Sequence, residues 1–116
     1  QHREFLGGFA GFVAALPELR NRVVEKKLLV EATAEEARVL ARAGVDGVQL
    51  DKVPVEEMAA LVAELKSVDP HLTVIAAGGI NPSNVGAYAA TGVDALVTTA
   101  PFTAKPVDMS VRMKAR

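Results

Sequence analysis

Phe5, Phe9, Phe12 and Leu16 recur at spacings of three and four, which places one apolar stripe along an opening helix. Gly7, Gly8 and Gly11 weaken that helix and Pro17 disturbs it, because glycine raises the entropic cost of ordering and proline lacks an N–H. The stripe reads as core packing. A short apolar run, Leu28-Leu29-Val30, then leads to Glu31, and Thr33 with Glu36 makes a capping box for a helix that stops at Gly44. The same order recurs along the chain. A strand over 47–50 ends at Asp51, a helix runs from about 54 to 66, and a strand occupies 72–77. A helix opened by Asn81-Pro82 closes at Gly92, and a fourth strand runs from about 95 to 98.

Strand starts near 27, 47, 72 and 95 are about two dozen residues apart, the period of strands alternating with helices in a parallel sheet. Ala-Gly-Val-Asp at 43–46 and Thr-Gly-Val-Asp at 91–94 mark equivalent helix-to-strand turns, which makes Asp51 and Thr99 equivalent strand ends. The unbroken run Thr73-Val74-Ile75-Ala76-Ala77 implies a strand buried on both faces, as in a barrel or a doubly wound sheet. A complete (β/α)8 barrel takes ~250 residues, so four units make half of one. The expected fold is α/β: the C-terminal half of an incomplete (β/α) TIM-like barrel, with a small open flavodoxin-like sheet as the alternative. An isolated half-barrel exposes two strand edges and a lumen face, so a homodimer or higher homo-oligomer is expected.

Composition narrows the partners. The chain has 116 residues, half of them hydrophobic, enough for one core and one domain. Its 13 basic residues balance 14 acidic ones without runs of like charge, which leaves no footprint for nucleic acid and points to a small-molecule or protein partner. No stretch approaches the ~18 apolar residues of a membrane span, and Gln-His-Arg-Glu does not resemble a signal peptide, so no membrane insertion and a cytoplasmic location are expected. Cysteine is absent, and His2 and His71 lack metal-ligand spacing. Numbering that begins at Gln1 without an initiating Met is expected of part of a longer polypeptide.

In parallel α/β folds functional groups collect at the carboxyl ends of the strands. Here those ends are Glu31, Asp51 with Lys52, Gly78-Gly79, and Thr98-Thr99-Ala100. Paired carboxylates at adjacent strand tips can hold Mg²⁺, accept hydrogen bonds from ribose hydroxyls or stabilise an oxocarbenium, where isolated ones are ordinary solvated acids. Gly78-Gly79-Ile80-Asn81-Pro82 is the most specific feature. Two glycines let backbone approach an anion, a following helix start offers N–H groups, and Thr99 and Ala100 add a small, hydroxyl-bearing neighbour, although a tight turn alone also needs glycine. Lys52 and Lys105 are phosphate or carboxylate partners or simply solvated, and His2 and Arg3 face the same mouth or a helix surface. His71 reads as loop and Tyr88 as packing.

Lys27-Leu28-Leu29-Val30-Glu31-Ala32, Val48-Gln49-Leu50-Asp51-Lys52, Ala76-Ala77-Gly78-Gly79-Ile80-Asn81 and Lys105-Pro106-Val107-Asp108-Met109 together resemble the C-terminal domain of quinolinate phosphoribosyltransferase, or nicotinate-nucleotide pyrophosphorylase (carboxylating), over essentially the whole chain. That resemblance implies an incomplete α/β barrel after a smaller α/β domain, and Mg²⁺-dependent transfer from phosphoribosyl pyrophosphate to a small carboxylate acceptor. By the same resemblance Glu31 and Asp51 hold ribose and metal, and Gly78, Gly79 and the Thr99-Ala100 turn bind phosphate, where the helix start at Asn81 adds its own donors. Two departures stand out. Lys52 follows the second acid where the family usually has Asn, and Thr99-Ala100-Pro101-Phe102-Thr103-Ala104 replaces the usual Gly-Ala-Leu-Thr-His-Ser loop. Both look like the ModD branch, associated with molybdenum transport. Most basic residues that grip the acceptor in the family would precede Gln1, apart from His2, so substrate contact is expected of His2 and Lys52 and this length alone is expected to be inactive. Two other functions use the same residues: a phosphosugar isomerase or synthase barrel with Asp51 as general base, and a non-catalytic phosphosugar-binding or interaction protein.

Overall fold

The computed structural model describes residues 2–115, with His2 described by its backbone alone. A 3-10 turn, His2–Leu6, precedes α1 (Gly8–Arg22). Then follow β1 (Leu29–Ala32), α2 (Ala34–Arg42), β2 (Gly47–Asp51), α3 (Val55–Val68), β3 (Thr73–Ala77), α4 (Val85–Ala89), β4 (Ala95–Leu96) and α5 (Ala100–Thr103). The starts of α2 and α3 have local causes. The Thr33 hydroxyl accepts the Glu36 N–H at 3.3 Å while the Glu36 carboxylate accepts the Thr33 N–H at 3.2 Å, the predicted capping box. Pro54 caps α3, and Gly44 leaves α2 with φ +79°, the left-handed turn that glycine adopts without strain.

Three expected boundaries move. Pro17 lies inside α1, ten positions after Gly7, and the helix continues past it to Arg22. Asn81 and Pro82 do not open a helix: 81–84 form a turn and α4 spans only Val85–Ala89. The fourth strand is two residues long, because Thr98 leaves the ladder to bond the preceding loop.

The sheet is wholly parallel in the order β1-β2-β3-β4. A flavodoxin-like sheet reverses direction at a switch point, and a doubly wound sheet has helices on both faces. Neither feature is present among the described residues. Val48, Leu50, Val74 and Ala76 point to one face and are fully buried with Leu40, Met58, Leu61 and Leu65 of α2 and α3. Burying each large side chain contributes roughly 1.5–3 kcal/mol. The other face is uncovered: Leu29 is 52% exposed, Glu31 and Asp51 are exposed, and Gln49, Thr73 and Ile75 are half-buried. A monotonic strand order with helices on one face is the arrangement of a barrel wall.

The echo between 43–46 and 91–94 has a structural cause. Asp46 Oδ2 accepts the Leu28 N–H at 2.6 Å and pairs with Arg20 Nη1 at 2.6 Å. Asp94 Oδ2 accepts the Val74 N–H at 2.7 Å and pairs with Lys66 Nζ at 2.7 Å. Each aspartate therefore ties the start of the neighbouring strand to a basic residue on the helix before it. The Leu28 N–H is the main reason the Asp46 carboxyl lies below its usual range, with the Arg20 guanidinium adding to it against burial. Burial pushes Asp94 up, but the Lys66 ammonium and the Val74 N–H outweigh it and leave this carboxyl lowered too.

Past α5, residues 104–115 carry no regular structure and are exposed throughout. No helix among the described residues is long and apolar enough to cross a membrane.

Candidate functional site

The residues singled out from the sequence fall into two adjoining groups at the carboxyl ends of the strands. The first lies on the uncovered sheet face. Pairing sets Glu31 opposite Gln49, and Asp51 opposite Ala77, so Asp51 stands one side-chain layer above Glu31 rather than level with it. The Asp51 side chain is 40% exposed, and Lys52 Nζ lies 3.8 Å from Asp51 Oδ2. Lys52 has φ +57°, the one left-handed non-glycine residue among those described. Its N–H donates to the Ala77 carbonyl at 2.9 Å, which fixes the turn leaving β2 against the end of β3.

Gly78 belongs to this first group. A Cβ there would lie 2.5 Å from Asp51 Oδ1 and 2.5 Å from Lys52 Cγ, so glycine is required by the Asp51-Lys52 turn itself. Gly79 differs: its φ is +73° and nothing lies within 4 Å of a Cβ built on it.

The second group surrounds a cleft of about 480 Å³ bordered by Gly79, Ile80, Asn81, Thr99, Ala100 and Thr103. Asn81 shapes this cleft. Its N–H donates to Asn84 Oδ1 at 2.8 Å, its Oδ1 accepts the Ser83 N–H at 2.9 Å, and its Nδ2 donates to the Gly79 carbonyl at 3.0 Å. The Val85 N–H is likewise accepted by the Asn81 carbonyl. Thr98 Oγ1 donates to the Ile80 carbonyl and accepts the Ala100 N–H at 3.1 Å, locking the two loops together. The expected donors at a helix start are thus engaged within the turn. Among the described residues, the amides of Gly78, Gly79, Ile80 and Thr99 beside this cleft have no protein acceptor, and neither do those of Thr98 and Ala104.

A second, mainly apolar cleft of about 410 Å³ shares the Ile80, Asn81, Pro82 and Ala100 wall. Tyr88 is packing, its hydroxyl donating to the Val53 carbonyl at 3.0 Å. Arg3 sits against the first turn of α2, 2.9 Å from Glu36 Oε2 without hydrogen-bond angles, and 5.6 Å from the Phe9 ring centroid. The His2 side chain, expected at the mouth, lies outside the described residues. Lys105 is in the exposed segment after α5, outside both groups. No cluster of three or more His, Cys, Asp or Glu able to hold a metal occurs among the described residues.

Comparison with known proteins gives this geometry a context. The family "Quinolinate phosphoribosyl transferase, C-terminal domain" matches residues 1–112. The chain belongs to this family. Over 97% of its length it is 35% identical to the ModD protein of Escherichia coli O157:H7, named a candidate pyrophosphorylase, of which it covers 40%. It is 34% identical over 105 residues to a candidate nicotinate-nucleotide pyrophosphorylase (carboxylating) of Methanothermobacter thermautotrophicus, covering 38% of that protein. The chain thus spans about two fifths of the length of these relatives. Among solved structures, the nicotinate-nucleotide pyrophosphorylase of Francisella tularensis superposes with TM-score 0.63 at 24% identity, over 77% of this chain and 30% of that one. A NadC deletion mutant superposes with TM-score 0.67 at 20% identity, over 82% and 32%. These likenesses concern the fold, and they agree with a segment of a TIM-like barrel wall rather than an open doubly wound sheet.

The family membership and the alternation of four parallel strands with helices were legible from the sequence. Gln49, the Asp46 and Asp94 ties and the Thr98 latch were not singled out. The Gly-Val-Asp echo pointed at the two aspartates, and the break of the apolar run in β2 by a polar residue pointed at Gln49.

Proposed function

We propose that this chain forms the phosphoribosyl-binding part of a Mg²⁺-dependent phosphoribosyltransferase of the ModD type, which uses phosphoribosyl pyrophosphate and a small aromatic carboxylate acceptor. The observation that carries the reading is the cleft at the strand ends, where the amides of Gly79, Ile80 and Thr99 have no protein acceptor beside an unobstructed Gly79. A 5-phosphate seated there takes several backbone N–H donors at once, without any basic side chain. Gly78 joins this cleft to the acids, so the ribose of a bound donor extends towards Asp51 and Glu31. Both are acceptor-only groups when ionised, suited to ribose hydroxyls and to the positive charge of an oxocarbenium.

Two carboxylates on one open face also suit Mg²⁺, which keeps several waters and usually takes one or two carboxylates together with substrate phosphates. Glu31 and Asp51 would hold it, directly or through water, and it would offset the charge of the leaving pyrophosphate. Lys52, beside Asp51, adds a mobile positive charge at the mouth for a carboxylate or phosphate, and His2 is the other side chain assigned to substrate. The rest of the barrel, a preceding smaller domain and most of the acceptor pocket belong in this reading to residues outside these 116. Homo-oligomerisation and a cytoplasmic location are part of the same reading.

The test is a titration with inorganic phosphate followed by amide chemical shifts. The Gly79, Ile80 and Thr99 amides should move, with Gly78 next, while Asn81, Ser83 and Ala100, already bonded within the turn, should move much less. Flat shifts at all of them up to millimolar phosphate, with the fold intact, would remove the phosphoribosyl reading.

A further inference from the structure

We infer that Gln49 is a specificity-determining residue of this site, whose carboxamide recognises a hydroxyl of the sugar held by Glu31 and Asp51; the inference rests on the phosphoribosyl reading above. β2 buries Val48 and Leu50 against the helices, and the strand's alternation turns Gln49 to the uncovered face with Asp51. Parallel pairing sets Gln49 directly opposite Glu31 on one side and Ile75 on the other. Neighbouring strands are about 4.8 Å apart, and Asp51 is two residues further along the same strand, roughly 6.6 Å away. Gln49 therefore lies between two carboxylates, one layer deeper than Asp51.

The residue is half-buried on the open face, and its carboxamide, which makes no hydrogen bond among the described residues, is not a buried unpartnered group. The carboxamide therefore stands open to solvent or to a ligand, at a position where the adjoining Ile75 shows that this layer also accepts an apolar residue. Glu31 and Asp51 can only accept hydrogen bonds when ionised. A sugar hydroxyl that donates to one of them still needs a donor for its own oxygen, and the Gln49 NH₂ is the group in this layer able to supply it. Such a pair of bonds distinguishes a hydroxyl from a hydrogen at that carbon, because removing the hydroxyl leaves the amide and the carboxylate without a partner.

The experiment compares ribose 5-phosphate with 2-deoxyribose 5-phosphate and 3-deoxyribose 5-phosphate, binding to the chain being followed by amide and side-chain NH₂ chemical shifts. The wild-type chain should bind ribose 5-phosphate about three- to ten-fold more tightly than at least one deoxy analogue, the span of one neutral hydrogen bond. The Gln49 NH₂ signals should shift with the ribose compound and not with that analogue. In Gln49→Met, and in Gln49→Leu as a second variant of different shape, the ratio of affinities should fall to within two-fold. A ratio within one variant is insensitive to any general loss of folding. If the sugar phosphates bind and the discrimination persists in both variants, or the Gln49 NH₂ signals stay flat, the inference is overturned while the phosphate cleft stands. If inorganic phosphate and all three sugar phosphates leave the Gly79 and Thr99 amides unmoved, the phosphoribosyl reading falls and takes this assignment with it.

Discussion

At Lys52 the backbone takes φ +57°, where an L side chain crowds its own carbonyl at a cost of roughly 1–2 kcal/mol. The turn tolerates this because the Lys52 N–H reaches the Ala77 carbonyl and because Gly78, having no Cβ, leaves room for the Asp51 and Lys52 side chains. Strain at one residue and the lack of a side chain at the other belong to a single contact, and the two substitutions should therefore act in opposite directions. Lys52→Gly should raise the unfolding free energy by about 0.5–1 kcal/mol, the relief of strain being partly offset by a looser unfolded chain. Gly78→Ala should lower it by more than about 1 kcal/mol, since the new methyl meets Asp51 Oδ1 and the Lys52 backbone in a residue already at φ +86°. Urea denaturation of both variants measures the pair, and a stabilised Gly78→Ala would show that the interlocked turn is misplaced.

Among the elements, strands and long helices were legible because their signals are local: apolar runs, the Thr33 capping box and the Gly44 stop each act within a few residues. The short elements were not. Asn81-Pro82 has the composition of a helix start, but Asn81 and Asn84 bond each other's backbone and hold a turn, a competition that the sequence does not resolve. Val97 and Thr98 have the strand propensity of a longer β4, whereas Thr98 is diverted to the Ile80 carbonyl, a contact across 18 positions. The aspartate ties are also long-range, and they give the fold an acid sensitivity. Both carboxyls are lowered in the folded state, so their stabilisation is fully present above the unfolded aspartate value near 3.8 and is lost as pH falls through the lowered folded values. Asp46→Asn with Asp94→Asn should lower stability at pH 7 by roughly 1–2 kcal/mol in total, Asp94 contributing the smaller share because its side chain is 39% exposed and solvent screens its pair, and should flatten the dependence on pH below about 4. Denaturation midpoints between pH 7 and pH 2.5 test this. An acid dependence as steep in the double variant as in the wild type would assign the sensitivity to other carboxylates.

For the whole molecule, the decisive asymmetry is between the two faces of one sheet. The helix-covered face buries Val48, Leu50, Val74 and Ala76 completely, while the other leaves Leu29 52% and Val97 44% exposed, and both sheet edges are unpaired among the described residues. Uncovered apolar area and free strand edges favour association in water. The chain alone should accordingly self-associate at micromolar concentration, with a sedimentation-equilibrium mass that rises with concentration. A second source of association must be separated from this one. Val107, Met109, Val111 and Met113 alternate with polar residues and are 83–93% exposed, a period-two pattern that suits an added strand. Leu29→Lys with Val97→Lys should shift the population towards monomer if the sheet face drives association, because the new charges must stay in water. Removing residues 105–116 should do so instead if the extended segment is responsible. A wild-type chain that remains monomeric and folded at 100 μM, a concentration about two orders above the micromolar onset expected of such a face, would mean that neither surface is sticky enough to need a partner. The homo-oligomer proposed above would then have to be built from residues other than these.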